Sequence, residues 1–153
     1  MFRNLLRGAA AGAAGTTALN AATYADMAVR ARPASSTPQQ AVDEIAERSG
    51  HPVPGDGDEH ENRLQGLGPL TGIATGVGIG VAAGVLRPVI TRLPLPIGAA
   101  ALGAAAMAGA DVPLSKLGLT DVSSWSASDW LSDVLPHLSY GLVTFWTLRD
   151  GRR

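Results

Sequence analysis

At 153 residues the chain suits a single domain. Its formal charge of −1 gives no global electrostatic footing for nucleic acid, and the lack of cysteine excludes disulfides, thiolate metal sites and a thiol nucleophile. Aromatics make up only 5% and glycine contributes 19 residues, thin material for a water-soluble core built on Leu, Ile, Phe and Val.

Residues 8–29, GAAAGAAGTTALNAATYADMAV, form the first apolar block, behind Arg3 and Arg7. A basic start and an apolar middle also describe a cleaved signal. The block is long, poor in Leu and lacks a clean small-x-small site, so it is read as a membrane helix. Its small side chains insert weakly, which leaves a helix lying in the interface as the alternative. Thr16, Asn20, Thr23 and the adjoining Tyr24 form a polar stripe able to bond across to a neighbouring helix. Asp26 and Arg30, four apart, are placed to pair at the membrane edge.

Residues 30–65 are polar. Thr37-Pro38-Gln39-Gln40 predicts a helix over 38–49, with Thr37 as N-cap, Pro38 in the first position, Gln40 closing a capping box and Gly50 ending it. HPVPGDGDEHEN then reads as loop. Its Asp56, Asp58, Glu59, His60 and Glu61 miss the register of a calcium loop and read as a solvated acidic surface.

Residues 66–86, GLGPLTGIATGVGIGVAAGVL, are 21 uncharged residues, enough to cross a ~30 Å hydrocarbon core. Glycine recurs at every fourth position (Gly68, Gly72, Gly76, Gly80, Gly84). In water each interior glycine weakens a helix by about 1 kcal/mol against alanine. In lipid the same spacing predicts a smooth groove along one helix face, where a second backbone can approach. Gly78-Ile79-Gly80-Val81-Ala82-Ala83 matches a dinucleotide fingerprint, but lacks the preceding strand and the following acid, and is read as packing.

Residues 89–110 make the third block, again of small residues, and 111–129 a polar connection. Ser126-Ala127-Ser128-Asp129 resembles a helix start with an acid in its first turn. The fourth block, 130–148, carries Trp130 and Trp146 near its two ends, where interfacial aromatics belong. Asp133, His137, Tyr140 and Thr144 share one face of it. Ionisable groups inside a membrane helix face the bundle interior or water and often line ion or proton paths. The plainer reading places Asp133 at headgroup depth and bonds His137 to a backbone carbonyl, Pro136 having released the one at residue 132.

Four spans bring both termini to one side. Arg3, Arg7, Arg87, Arg92, Arg149, Arg152 and Arg153 then gather there, while the 111–129 connection has only Lys116, which predicts cytoplasmic termini. Arg30 and Arg32 argue the other way. No Ser–His–Asp signature, phosphate-binding loop or zinc-protease stretch is present.

The stretches ATYADMAVRARPASSTP and DVLPHLSYGLVT resemble small actinobacterial membrane proteins of unknown function, and the ending with His137, Tyr140 and Gly141 is similar to YagU-like inner-membrane proteins. The resemblance implies four spans in a bacterial inner membrane and a loose link to acid tolerance, and it brings no catalytic residues. The expectation is an all-α polytopic membrane bundle of four transmembrane helices, or three spans plus an interfacial N-terminal helix. It is expected to have no enzymatic site, cofactor or metal. Its role would be a structural or partner-binding subunit in the bilayer, a homo-oligomer or the companion of another membrane protein, joined through Gly68, Gly72, Gly76, Gly80 and Gly84. The alternative is a small channel or proton-coupled transporter with a polar path along the first and fourth spans through Asn20, Asp133, His137 and Tyr140.

Overall fold

The computed structural model describes residues 1–150, and among these all regular structure is helical. The helices are α1 (Phe2–Arg30), α2 (Thr37–Arg48), α3 (Asp58–Val85), α4 (Arg87–Ile90), α5 (Leu95–Lys116) and α6 (Ala127–Asp150), with a 3-10 turn at Val122–Ser124. Arg152 and Arg153, counted in the charge pattern, lie outside the described residues.

Several boundaries differ from those expected. The N-cap of α2 is Ser36, not Thr37. The Gln40 side-chain amide donates to Ser36 Oγ at 2.9 Å, and Ser36 caps no backbone N–H with its side chain, so the expected capping box does not form. Pro38 tolerates the earlier cap because no N–H in the first turn has an intrahelical partner. The loop before α3 ends at Gly57, and Asp58, Glu59 and Glu61 occupy the first turn of α3, where acids complement the helix dipole. Gly55 (φ 96°) and Gly57 (φ 52°) take the left-handed backbone that turns the chain into that helix. The third block is broken by Thr91–Pro94 into short α4 and long α5. Helix α5 runs on through Pro113 to Lys116, so Asp111 is helical and not part of the connection. Helix α6 begins at Ala127 behind the expected start signal, with the Ser126 N–H donating to Asp129 Oδ2 at 2.9 Å and the Asp129 N–H to Ser126 Oγ at 3.2 Å.

The four long helices alternate in direction. Helix α1 is central, packed between α3 and α6, and α5 packs on the far side of α6. Helices α3 and α5 meet more sparingly, where Gly109 lies beside Ile79 and Thr75. The start of α1, the α4 turn and the end of α6 share one end of the bundle, joined where Arg87 Nε donates to the Leu148 carbonyl at 2.8 Å. At the other end the Arg30 guanidinium donates to Ser128 Oγ at 2.7 Å.

Glycines set the spacing of these contacts. A Cβ at Gly12 would stand 2.6 Å from the Gly76 carbonyl oxygen and 3.0 Å from Gly80 Cα, and one at Gly8 would stand 2.9 Å from Val81 Cα. Backbone thus rests on backbone along α1 and α3. The same holds between α5 and α6, where a Cβ at Gly103 would lie 2.8 Å from the His137 carbonyl oxygen and one at Gly141 would lie 2.5 Å from the Gly103 nitrogen. The fourth-position ladder does not form a single groove. Four residues overshoot one 3.6-residue turn by about 40°, so the row winds around the helix. Gly76, Gly80 and Gly84 meet α1, Gly68 faces Gln39 of α2, and Gly72 has nothing within 4 Å.

Helix α2 lies along the first part of α3. His60 of α3 approaches Asp43 of α2 at 3.3 Å and bonds the Val53 carbonyl at 3.1 Å through Nδ1. Asp43, helped by that carbonyl, holds the His60 imidazole above its ordinary pKa.

Gly80→Ala should therefore lower the thermal midpoint in detergent by the equivalent of about 1–3 kcal/mol, because the opposing Gly12 backbone cannot yield as a side chain would. Gly72→Ala should leave the midpoint unchanged or raise it, having open space and a better helix former. The His60 contact gives a pH dependence. A pKa raised by folding contributes stability that is complete below the ordinary value of about 6.5 and is lost as pH rises through the raised value. Amide exchange in α2, corrected for the intrinsic rate, should accelerate relative to that of α1 as pH is raised past neutrality, and His60→Gln should remove the effect.

Candidate functional site: the polar face of α6

The sequence-predicted polar residues divide into two groups. Tyr140 and Thr144 are fully buried at the level where α1, α3 and α6 meet. The Tyr140 hydroxyl donates to the Gly76 carbonyl of α3 at 2.6 Å, and its ring lies against Gly15 of α1, where an added Cβ would stand 2.8 Å from Tyr140 Cδ2. Tyr140 thus reaches from α6 past α1 to α3, through the gap that Gly15 leaves. Thr144 Oγ1 donates toward the Ala11 carbonyl at 3.4 Å, and Thr16 Oγ1 donates to the Gly12 carbonyl of its own helix at 2.8 Å. These hydroxyls satisfy backbone carbonyls inside the bundle, which is how a polar side chain becomes tolerable there.

Asp133 and His137 stand nearer the other end of α6, about two turns and one turn from Tyr140. His137 Nδ1 lies 2.8 Å from the Asp133 carbonyl oxygen and 3.3 Å from Asp133 Oδ1. A carbonyl only accepts, so Nδ1 carries the proton. The bonded carbonyl is that of Asp133, one residue beyond the one released by Pro136. His137 is 12% exposed and Asp133 21%. Asn20 is half-buried on α1, Thr23 likewise, and Tyr24 is 64% exposed. The α1 stripe therefore splits, and only Thr16 reaches the interior with Tyr140 and Thr144.

Two residues of this region had no place in the sequence reading. Asp111 faces Asp133 from α5, within hydrogen-bonding reach. Its signal was hidden by the assumption that the third helix stopped at residue 110. Gly15 was not singled out either, although the GAAAGAAG run contains it. Asp26 behaves as expected at the end of α1, accepting from Arg30 Nε at 2.6 Å, and it also accepts from Arg32 Nε. The two arginines that opposed the predicted orientation thus converge on one carboxylate. Among the described residues no group of three or more His, Asp or Glu is placed to hold a metal ion.

Comparison with family models, curated proteins and solved structures finds no match to the chain. Helices α3 and α5 are each long and apolar enough to cross a membrane.

Tyr140→Phe should cost about 1 kcal/mol in reversible unfolding, the ordinary worth of one lost internal hydrogen bond. Gly15→Val should cost more, because it drives the ring of Tyr140 out of its gap. The two substitutions together should cost less than the sum, since both act on the same contact.

Proposed function

We propose that the chain is a four-span membrane protein of a bacterial cytoplasmic membrane, acting as a structural or partner-binding subunit and not as an enzyme. The observation that carries this reading is the inverted distribution of its side chains. The inward face of α6 holds Tyr140, Gly141 and Thr144, while Leu131, Leu135, Leu138, Leu142 and Trp146 point outward along its whole length, each more than 40% exposed. On α3 the same holds, with Gly76, Gly80 and Gly84 inside and Leu67, Leu70 and Ile73 outside. A water-soluble monomer does not expose continuous apolar stripes of this extent, whereas hydrocarbon receives them without cost.

The charge pattern supports an orientation. Arg3, Arg7, Arg87, Arg92 and Arg149 stand at the end where α1 starts and α6 finishes, which the positive-inside rule assigns to the cytoplasm. The interior supports a subunit over a channel. Where α1, α3 and α6 meet it is filled by Thr16, Tyr140 and Thr144, and the glycines of α1 and α3 are spent on each other. What remains for another molecule is the outer face of α3, with Gly72 open among Leu70 and Ile73.

Single cysteines introduced at Arg92 and Ser123 into this cysteine-free chain test the topology. A membrane-impermeant maleimide should label Ser123→Cys in intact cells and Arg92→Cys only after permeabilisation. Equal labelling of both, or recovery of the protein in a detergent-free supernatant, would overturn the four-span reading. Purification in mild detergent should yield a defined oligomer or a stoichiometric partner that Gly72→Leu disperses while the monomer stays folded.

A further inference from the structure

We propose that Asp111, Asp133 and His137 form a proton-binding site between α5 and α6, in which the two carboxyl groups share one proton drawn from an open groove beside Asp111. Three observations carry it. The carboxyl groups come from two different helices and stand within hydrogen-bonding reach of each other. Each has an oxygen, Asp111 Oδ2 and Asp133 Oδ2, that is closed off from solvent and meets no donor among the described residues. The third group, His137, is already committed, its Nδ1 proton turned to the carbonyl and Oδ1 of Asp133, which leaves it nothing to offer the orphaned oxygens from that nitrogen.

Two ionised carboxylates cannot bond each other, and an enclosed acceptor without a donor is costly. One proton placed between the helices removes both difficulties. It converts one carboxylate to a carboxylic acid, forms an O–H bond that donates to the neighbouring carboxylate, and takes the pair from two negative charges to one. The source is solvent, and nothing else is consumed. His137 then faces the remaining charge across 3.3 Å. The charged groups nearby do not supply a competing donor. From α1, Arg30 is engaged with Asp26, Ser128 and Ser132. From α5, Lys116 lines the outer part of the groove, and on α6 Asp129 is engaged with Ser126 at the helix start.

The route is part of the same geometry. A groove of about 500 Å³ runs between α5 and the start of α6, lined by Met107, Ala108, Asp111, Val112, Ser115 and Trp130 among others. Asp111 is the carboxyl group that opens onto it, and Asp133 and His137 lie behind. Protons thus reach the pair from the end of the bundle opposite the arginine-rich one. The site goes beyond the subunit reading and does not rest on it, because the carboxyl pair exists in the folded chain whatever surrounds it.

Infrared difference spectroscopy on the full-length protein in detergent micelles tests the site. The wild type should show the carbonyl stretch of a protonated carboxyl group at about pH 5.5, where an isolated aspartate is already ionised. Both Asp111→Asn and Asp133→Asn should abolish it, since each removes the neighbour that retains the proton, while Asp56→Asn on the distant loop should keep it. Absence of the band from the wild type overturns the proposal. So does its survival in either single variant, which would mean that one carboxyl group is protonated without its neighbour. If neither Asn variant folds, the wild-type band alone decides, its presence at about pH 5.5 supporting the site and its absence overturning it.

Discussion

Contact between bare backbones is the constraint on which the rest of this molecule depends. Gly8 and Gly12 of α1 lie against Gly76, Gly80 and Gly84 of α3, and Gly103 of α5 lies against Gly141 of α6. At such separations the attraction comes from many close dispersion contacts and from weak Cα–H···O bonds, not from large apolar side chains driven together by water. Most of the large apolar residues are consequently left on the outside, Leu102, Phe145 and Leu148 excepted. Packing of this kind is strict. A methyl group at any of these positions but Gly76, where it would meet the Thr16 side chain, meets backbone that belongs to a helix and cannot step aside.

Such thin interfaces also explain where the polar groups are found. Helices that approach this closely leave little volume between them, and what there is must be filled by a few well-placed side chains. Tyr140, Thr144 and Thr16 fill it at the centre, each hydroxyl turned to a carbonyl, while Phe145 and Leu148 fill it with Ala11, Ala83 and Leu102 toward the arginine-rich end. Toward the opposite end the packing loosens, and there Asp111, Asp133 and His137 stand together. The bundle is thus graded along its axis, from tight and apolar to looser and titratable.

Much of this was legible in the residues, and the failures have physical causes. The alternation of long apolar blocks with polar connections located the four long helices, and the fourth-position glycines announced close contact. The partner of those glycines was not legible, because backbone contact is reciprocal and the answering glycines, Gly8 and Gly12, sit in a block that was weighed for length and hydropathy instead. Nor was the winding of the ladder, which sends Gly68 to α2 and leaves Gly72 uncovered, a consequence of a four-residue repeat on a 3.6-residue turn. Asp111 and Pro113 look like an ending, yet the helix runs on to Lys116 and the chain turns away through Gly118, which takes φ 77°. That apparent ending concealed the partner of Asp133. Among the described residues only α3 and α5 are long and apolar enough to cross a membrane by composition, since α1 and α6 carry too many small or polar residues to declare themselves.

The bond from Tyr140 to Gly76 has a bearing on how the molecule is made. Helices α1 and α3 leave the ribosome well before α6, and their glycine faces can close on each other as soon as both exist. The phenol must then enter sideways through the notch at Gly15 to reach a carbonyl on the far helix. A segment synthesised later is therefore the one that bolts α1 and α3 together, and a nascent chain stopped short of it is a hinge without its pin.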